Sequence, residues 1–176
     1  AQIVDFKGVV EELWDTFEAE TDSLVEARNL AAFKRFSKPY KYMDCPAPYP
    51  ELCTEHVVVM DYIDGISVSH PKQLLAVGYD LKEIGTKLVD NYATQILDEG
   101  FFHADPHPGN IIVRGGQIVL IDLGMTGRLD QRTRTVLKDM LFAVAQQDSP
   151  ALADSLLRFA NTSPDAEDYP ALLDDL

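Results

Sequence analysis

A pair of adjacent glycines constrains the fold of this sequence most strongly. Gly115 and Gly116 separate two short β-type segments, Ile111 to Val113 and Gln117 to Ile121. Because glycine adopts positive φ without a steric penalty, two glycines between such segments are typical of a tight β-hairpin. Polar residues precede the first segment and follow the second. The pattern therefore predicts a hairpin that brings two polar segments together at its open end.

Those two polar segments contain the residues on which the functional prediction depends. The first, residues 101–110, is rich in turn formers, and within it Asp105 and Asn110 are five positions apart. The second begins at Asp122, twelve positions after Asn110, and reads Asp-Leu-Gly. A His-x-Asp-x4-Asn loop followed by Asp-x-Gly is the kinase spacing. Phosphoryl transfer requires a carboxylate that orients the acceptor and oxygen ligands for Mg²⁺, and these residues supply both.

Composition restricts the class of protein. The chain has 176 residues, of which 46% are hydrophobic and 25% charged, so we expect an ordered globular fold with a core. The formal net charge of −14 disfavours a nucleic-acid partner. Cys45 and Cys53 lack metal-ligand spacing, and no apolar run reaches the roughly 20 residues of a membrane span. We therefore expect a cytoplasmic protein, at most peripheral to a membrane, with any membrane association through parts outside this sequence.

Hydrophobic periodicity and prolines divide the chain into four segments. These are a helical region (residues 1–37), a Pro-rich connector (38–65), a larger region with the hairpin (66–160), and an acidic tail or truncated helix (161–176). The connector is expected to end in a buried strand, Val57 to Met60, because this run is short and β-branched. A helix beginning near Leu81 is expected to stop at Gly100.

Two further helices are expected after the Asp-x-Gly segment. Asp130 is a suitable N-cap for the first, and Ser149 is a suitable N-cap for the second, with Pro150 in its first turn. The apolar side chains at helical spacing are expected to face inward: Val136, Leu137, Met140, Leu141 and Val144 in the first helix, and Leu152, Leu156 and Phe159 in the second.

Three short motifs resemble those of one kinase family. Residues 102–110 (Phe-His-Ala-Asp-Pro-His-Pro-Gly-Asn), 20–22 (Glu-Thr-Asp) and 26–29 (Glu-Ala-Arg-Asn) are similar to motifs of the UbiB/ADCK atypical kinases. That family is linked to ubiquinone biosynthesis and isoprenoid-lipid metabolism. The resemblance is specific over about residues 18–129 and extends more loosely to Phe159.

The resemblance implies the fold class. It is α+β and mostly helical: a protein-kinase-like C-lobe with short strands and a catalytic-loop hairpin, and an αC-like helix that carries the family's ExD motif. In these terms residues 1–37 hold the αC-like helix, 38–65 the connector, strand and hinge, and 66–160 the C-lobe. Most of the N-lobe, with its lysine-bearing strand and KxGQ motif, is expected to lie before Ala1. Without it, this chain alone is expected to be inactive.

The resemblance also implies site residues and cofactors, namely ATP and Mg²⁺. Asp105 matches the catalytic-loop aspartate, and Asn110 and Asp122 match the magnesium ligands. The hinge would offer backbone groups to adenine from three consecutive residues, Asp61, Tyr62 and Ile63.

The acidic residues of the N-terminal helix complete the implied site. Glu20 and Asp22 match the ExD motif, and Glu26 matches the helix glutamate that pairs with the nucleotide-binding lysine. Glu20 and Glu26 are six positions apart, about 240° around an ideal helix, so only one of them should point straight into the cleft.

The function implied is an atypical kinase or ATPase that binds MgATP and transfers or hydrolyses the terminal phosphate. Ala104 replaces an arginine that many protein kinases use to bind a phosphorylated activation loop. Only five residues separate Gly124 from Asp130, which is too few for a peptide-docking segment. A small molecule, an isoprenoid lipid or water is therefore the expected acceptor.

Three other interpretations remain open from sequence. One is an aminoglycoside- or choline-type phosphotransferase, whose catalytic loop has a similar pattern. Another is a non-catalytic scaffold that senses nucleotide or lipid. The third is a metal site formed by His103, Asp105 and His107.

Overall fold

The computed structural model describes residues 23–160. Its helices are α1 (Ser23–Ser37), α2 (Pro71–Ala76), α3 (Leu81–Ala93), α4 (Gln131–Gln146) and α5 (Ser149–Ala160), and its strands are β1 (Met43–Asp44), β2 (Ile66–Ser67), β3 (Phe101–His103), β4 (Ile111–Arg114), β5 (Gln117–Leu120) and β6 (Thr126–Arg128). There are 3₁₀ turns at Pro50–Leu52 and Pro108–Asn110, and a π-helical segment at Thr94–Glu99. Contacts divide the described residues into two units, one of residues 23–91 with 103–126, the other of residues 92–102 with 127–160.

The predicted hairpin is the centre of a four-stranded sheet with strand order β1-β5-β4-β2. Strands β4 and β5 are antiparallel, with Ile111 opposite Leu120 and Arg114 opposite Gln117. Gly115 and Gly116 have φ values of 58° and 80°, which confirms that the two-residue turn needs positive φ. Three consecutive residues of β5, Ile118, Val119 and Leu120, are fully buried. The hairpin is therefore the core of this unit.

The two outer strands were not expected from sequence. Strand β1 runs parallel to β5, with Met43 opposite Ile118, and β2 runs antiparallel to β4, with Ile66 opposite Val113. Each has two residues. Runs this short carry no periodicity, and β1 lies within the Pro-rich connector, where only an edge position is compatible with the nearby prolines.

The expected buried strand from Val57 to Met60 is wrong. This run makes isolated bridges, Thr54 to Val57 and Pro48 to Met60, and Val57 is 50% exposed. The Thr54 N–H donates to the Val57 carbonyl at 2.9 Å, which closes a tight turn at the start of the run. On the facing segment, the Tyr49 N–H donates to the Val59 carbonyl, but the Tyr49 carbonyl accepts from the Leu52 N–H of the 3₁₀ turn. The Val59 N–H donates to Cys53 Sγ instead, so the bridge at Met60 does not extend into a ladder.

Helix α1 confirms the described part of the expected N-terminal helix. Ala27, Leu30 and Phe33 are buried on one face, as the three- and four-residue spacing requires. Lys34 in the last turn bonds to the Asp44 carboxylate at 2.6 Å, which ties the helix to β1. The remainder of the expected helix and the acidic segment 161–176 lie outside the described residues.

The segment before the second unit's helices was partly predicted. Gly100 has φ 66°, and its N–H bonds to the Gln95 carbonyl, so it ends the helical segment as expected. Directly after it, β3 occupies the first three residues of the stretch that the sequence placed in a loop, and it pairs with β6. No helix among residues 23–160 is both long and apolar enough to cross a bilayer.

Helices α4 and α5 confirm one expected cap and correct another. Asp130 accepts a hydrogen bond from the Thr133 N–H at 2.7 Å and caps α4 as predicted. Ser149 is already inside α5, because Asp148 accepts from the Ala151 N–H at 3.0 Å and is the capping residue instead. A carboxylate one position earlier displaces the serine from this role.

The expected inward faces of α4 and α5 were wrong in part. Leu141, Val144 and Phe159 are more than half exposed, whereas small residues are buried: Ala143 in α4, and Ala153 and Ser155 in α5. The buried stripe of α4 runs through Val136 and Ala143, and a residue five positions from Val136 lies about 140° away from it. Small buried residues do not stand out in a hydrophobic pattern.

Candidate active site

The catalytic-loop segment is held mainly by short-range hydrogen bonds. His107 Nδ1 accepts from the Gly109 N–H at 3.1 Å and starts the 3₁₀ turn that presents Asn110. From strand β2, Ser67 Oγ donates to the Pro108 carbonyl at 2.9 Å. The backbone before Asn110 is thus fixed at two points.

Asp105 and Asn110 are brought together, and Asn110 is joined to the strand that leads to Asp122. The Asn110 Nδ2 donates to Asp105 Oδ2 at 3.4 Å, and the Asn110 carbonyl accepts from the Ile121 N–H at 3.0 Å. The Asp105 and Asp122 side chains are both exposed. The predicted meeting of the two polar segments at the open end of the hairpin is therefore present in the fold.

Asp122 is oriented by its own turn. Its Oδ1 accepts from the Gly124 N–H at 3.0 Å, which leaves the other carboxylate oxygen to face solvent or a ligand. The side-chain amide of Asn110 directs its NH₂ at Asp105, so the side-chain oxygen, Oδ1, is the group left for a cation. A carboxylate and an amide oxygen are ligand types that Mg²⁺ prefers.

Helix α1 contacts the Asp-x-Gly segment through two side chains. Glu26 accepts a hydrogen bond from the backbone of Leu123, and Asn29 Nδ2 donates to the Leu123 carbonyl at 2.9 Å. Partial burial, together with the negative charge of Asp122, raises the pKa of Glu26, while the Leu123 hydrogen bond lowers it. Of the three helix acids in the expected site, Glu26 lies beside Asp122, whereas Glu20 and Asp22 lie outside the described residues.

The two loop histidines have structural surroundings. His103 is 1% exposed, and burial lowers the pKa of its imidazole. Its Nδ1 accepts from the Asp105 N–H at 3.3 Å, so the ring supports the turn that carries Asp105. Among residues 23–160, no three His, Cys, Asp or Glu side chains are grouped as metal ligands, so His103, Asp105 and His107 do not form the alternative metal site.

The hinge segment is fastened to the connector through Asp61. Its Oδ1 accepts from the Tyr49 hydroxyl at 2.7 Å, and its Oδ2 accepts from the Ala47 N–H at 3.2 Å. The Tyr49 bond lowers the pKa of Asp61. The Asp61 N–H donates to the Ala47 carbonyl at 2.9 Å and is therefore not available to adenine. Tyr62, the middle residue of the expected hinge, is 88% exposed.

Sequence reasoning placed Asn29 in a family motif without giving it a role, and it did not identify Ser67 or Tyr49 as parts of this region. Asn29 follows Glu26 by three positions, which places both on one helix face, and this spacing was the available signal. Ser67 and Tyr49 act on residues 41 and 12 positions away, and no local pattern marks such partners.

The comparisons with known proteins identify a family. A family model described as the ABC1 atypical kinase-like domain matches residues 1–156. The chain belongs to this family. The relatives include proteins named UbiB and ABC1 kinases, as the sequence motifs predicted.

Two relatives illustrate the match. The chain is 32% identical over 163 residues to protein ACTIVITY OF BC1 COMPLEX KINASE 8, chloroplastic, from Arabidopsis thaliana, covering 91% of this chain and 21% of that protein. It is 32% identical over 164 residues to a probable protein kinase UbiB from Tolumonas auensis, covering 90% of this chain and 30% of that protein.

The solved structure is the Rv3197–erythromycin complex from Mycobacterium tuberculosis, with a TM-score of 0.69 over 89% of this chain and 39% of that one. At 23% identity, that likeness shows a shared fold alone. It agrees with a partial protein-kinase-like fold of helices and a few short strands. The chain spans about a quarter of the length of the first curated relatives that it matches.

Proposed function

We propose that the full-length protein is a UbiB/ADCK-type kinase or ATPase that binds MgATP and transfers or hydrolyses the terminal phosphate. One observation carries the proposal: the side-chain amide of Asn110 donates to Asp105, and its main-chain carbonyl accepts from Ile121, the residue before Asp122. An acceptor-orienting carboxylate and two oxygen ligands for a cation thus share the open end of one hairpin. That is the set of groups that phosphoryl transfer uses.

Each residue has a distinct role in this proposal. The Asp105 carboxylate orients the acceptor hydroxyl or water and takes its proton. Asn110 and Asp122 hold Mg²⁺, which when bound neutralises charge on the phosphates. Glu26 pairs with the nucleotide-binding lysine, and Glu20 and Asp22 form the ExD motif. The hinge receives the adenine through the carbonyl of Asp61 and the backbone groups of Tyr62 and Ile63, because the Asp61 N–H already bonds to Ala47.

The proposed acceptor is water, a small molecule or an isoprenoid lipid. Strand β6 begins two residues after Gly124, and the capping residue Asp130 follows at its far end. This stretch is therefore used by a strand and a cap, which leaves no extended segment for a peptide. The link to ubiquinone metabolism comes from the relatives named UbiB.

The test is phosphate transfer by the full-length protein with labelled ATP and Mg²⁺. Separate reactions contain buffer alone, isoprenoid or quinone-precursor lipids in detergent, and a broad peptide library. We expect ATP hydrolysis that lipid stimulates, or labelling of the lipid, with Asp105→Asn as the matched inactive control. Efficient, sequence-selective labelling of peptides without lipid-stimulated hydrolysis would contradict the proposed acceptor, and no reaction in any mixture would contradict the activity.

A further inference from the structure

Both main-chain polar groups of Leu123 are held by side chains of one helix face. The backbone of Leu123 bonds to Glu26, and its carbonyl accepts from Asn29 Nδ2 at 2.9 Å. The two helix residues are three positions apart, so they are neighbours on the surface of α1. Leu123 itself is fully buried. The segment after Asp122 is therefore fixed by a helix that lies 94 residues earlier in the chain.

The carbonyl of Leu123 and the N–H of Gly124 belong to the same planar peptide group. Asn29 bonds to the carbonyl, and the N–H donates to Asp122 Oδ1 at 3.0 Å. A rotation of this rigid plane that breaks one hydrogen bond also disturbs the other. Donation to the carbonyl in addition polarises the peptide, which strengthens the N–H as a donor.

We propose that Asn29 is a positioning residue that sets the orientation of the Asp122 carboxylate through the peptide group between Leu123 and Gly124. This inference rests on the proposed function, because it assigns to Asn29 the task of orienting the metal ligand. The side chain of Asn29 acts through the backbone and touches neither metal nor nucleotide.

A neutral amide suits this position better than an acid. Glu26 and Asp122 already place two carboxyl groups around Leu123, and the negative charge of Asp122 disfavours ionisation of Glu26. A third carboxylate would add repulsion and would offer an acceptor to a carbonyl that needs a donor. Because Leu123 is buried, water cannot readily replace the bond that Asn29 makes.

The test compares Asn29→Ala with Arg35→Ala in the full-length protein. Alanine is a strong helix former in both variants, and Arg35 is an exposed residue of the same helix. Mn²⁺ is titrated into the ADP-bound protein and followed by electron paramagnetic resonance. We expect Mn²⁺ affinity to fall roughly 10- to 100-fold in Asn29→Ala, the usual range for loss of a group that orients a metal ligand. Affinity for metal-free ADP is expected to hold, and Arg35→Ala is expected to match the parent.

A second readout needs no metal. Hydrogen exchange of the Gly124 amide is expected to be faster in Asn29→Ala than in Arg35→Ala, because the peptide plane is released. If Asn29→Ala fails to fold, Asn29→Asp keeps the side-chain size and replaces the donor by an acceptor, and the same losses are expected. Equal Mn²⁺ affinity and equal Gly124 exchange in Asn29→Ala and the control would overturn the role of Asn29 alone. Absence of Mn²⁺ binding by the unsubstituted protein would overturn the proposed function together with it.

Discussion

The two polar segments at the open end of the hairpin are held in different ways. The segment with Asp105 is built chiefly from hydrogen bonds between near neighbours, such as His107 to Gly109 and Asn110 to Asp105. The segment with Asp122 depends on helix α1, which lies 94 residues away in sequence. The proposed acceptor-orienting group therefore stands on a loop with mostly local hydrogen bonds and an anchor from Ser67 of β2. The turn that carries the proposed metal ligand is also bonded to helix α1.

The largest effect is expected from Asp122→Asn in the full-length protein. The substitution removes the charged ligand for Mg²⁺, so magnesium-dependent nucleotide binding should be lost. Thermal unfolding with and without MgATP measures this, and the unliganded midpoint should change little because the side chain is exposed. Stabilisation by MgATP equal to that of the parent would mean that Asp122 only forms a turn.

A different outcome is expected from Asp105→Asn. This substitution leaves both proposed metal ligands in place, so nucleotide binding should hold while phosphate release or transfer falls by about 100-fold or more. Steady-state turnover and MgATP affinity, measured on the same preparation, separate the two effects. Equal turnover in variant and parent would remove Asp105 from the chemistry.

A substitution in the hairpin turn tests how far the hairpin, which joins the two polar segments, depends on this turn for its stability. Gly116→Val puts a β-branched side chain at φ 80°, which should lower the free energy of unfolding by roughly 1–2 kcal/mol. Gly115→Asn is the matched control, because asparagine tolerates a φ of 58° and a Cβ at Gly115 meets open space. Urea unfolding measures both variants. Equal stability of the two would show that the turn does not limit the hairpin.

The smallest effect is expected from Glu26→Gln, and it appears as a pH dependence. Burial raises the pKa of Glu26 above 4.5, so above that pH the folded chain keeps a proton that the unfolded chain has lost. The free energy of unfolding of the parent should therefore fall as pH rises through the interval between 4.5 and the raised value. Glu26→Gln should lack this decline.

Urea titrations of parent and variant, without nucleotide or divalent ions and from below pH 4.5 upward, measure that difference. Glutamine can still accept the Leu123 hydrogen bond, so the comparison isolates the charge. A difference between the two proteins that stays constant with pH would show that Glu26 ionises as it does in the unfolded chain.

Features that depend on local contacts could be predicted from sequence, whereas features that depend on distant contacts could not. The hairpin turn, the Gly100 stop and the Asp130 cap depend on residues within a few positions, and all three were predicted. The contacts of Asn29 and Ser67 depend on packing between distant segments, so the sequence did not identify their partners, although Asn29 lies in a family motif and on the helix face of Glu26. The buried strand from Val57 to Met60 was wrong because β-propensity does not register that the facing segment leaves the pairing at Tyr49 and enters a 3₁₀ turn.

The hairpin also decides where this chain can accept extra sequence. Its closed end projects away from Asn110 and Asp122, Gly115 is exposed, and a side chain there would meet open space. A loop inserted between Gly115 and Gly116 would leave the pairing of Ile111 with Leu120 intact, and lengthening a loop costs little free energy. One residue inserted within β4 or β5 would instead shift the register and turn alternate side chains to the opposite face. The turn is thus the natural place for an epitope or a fluorescent label that must leave Asn110 and Asp122, the proposed metal ligands, undisturbed.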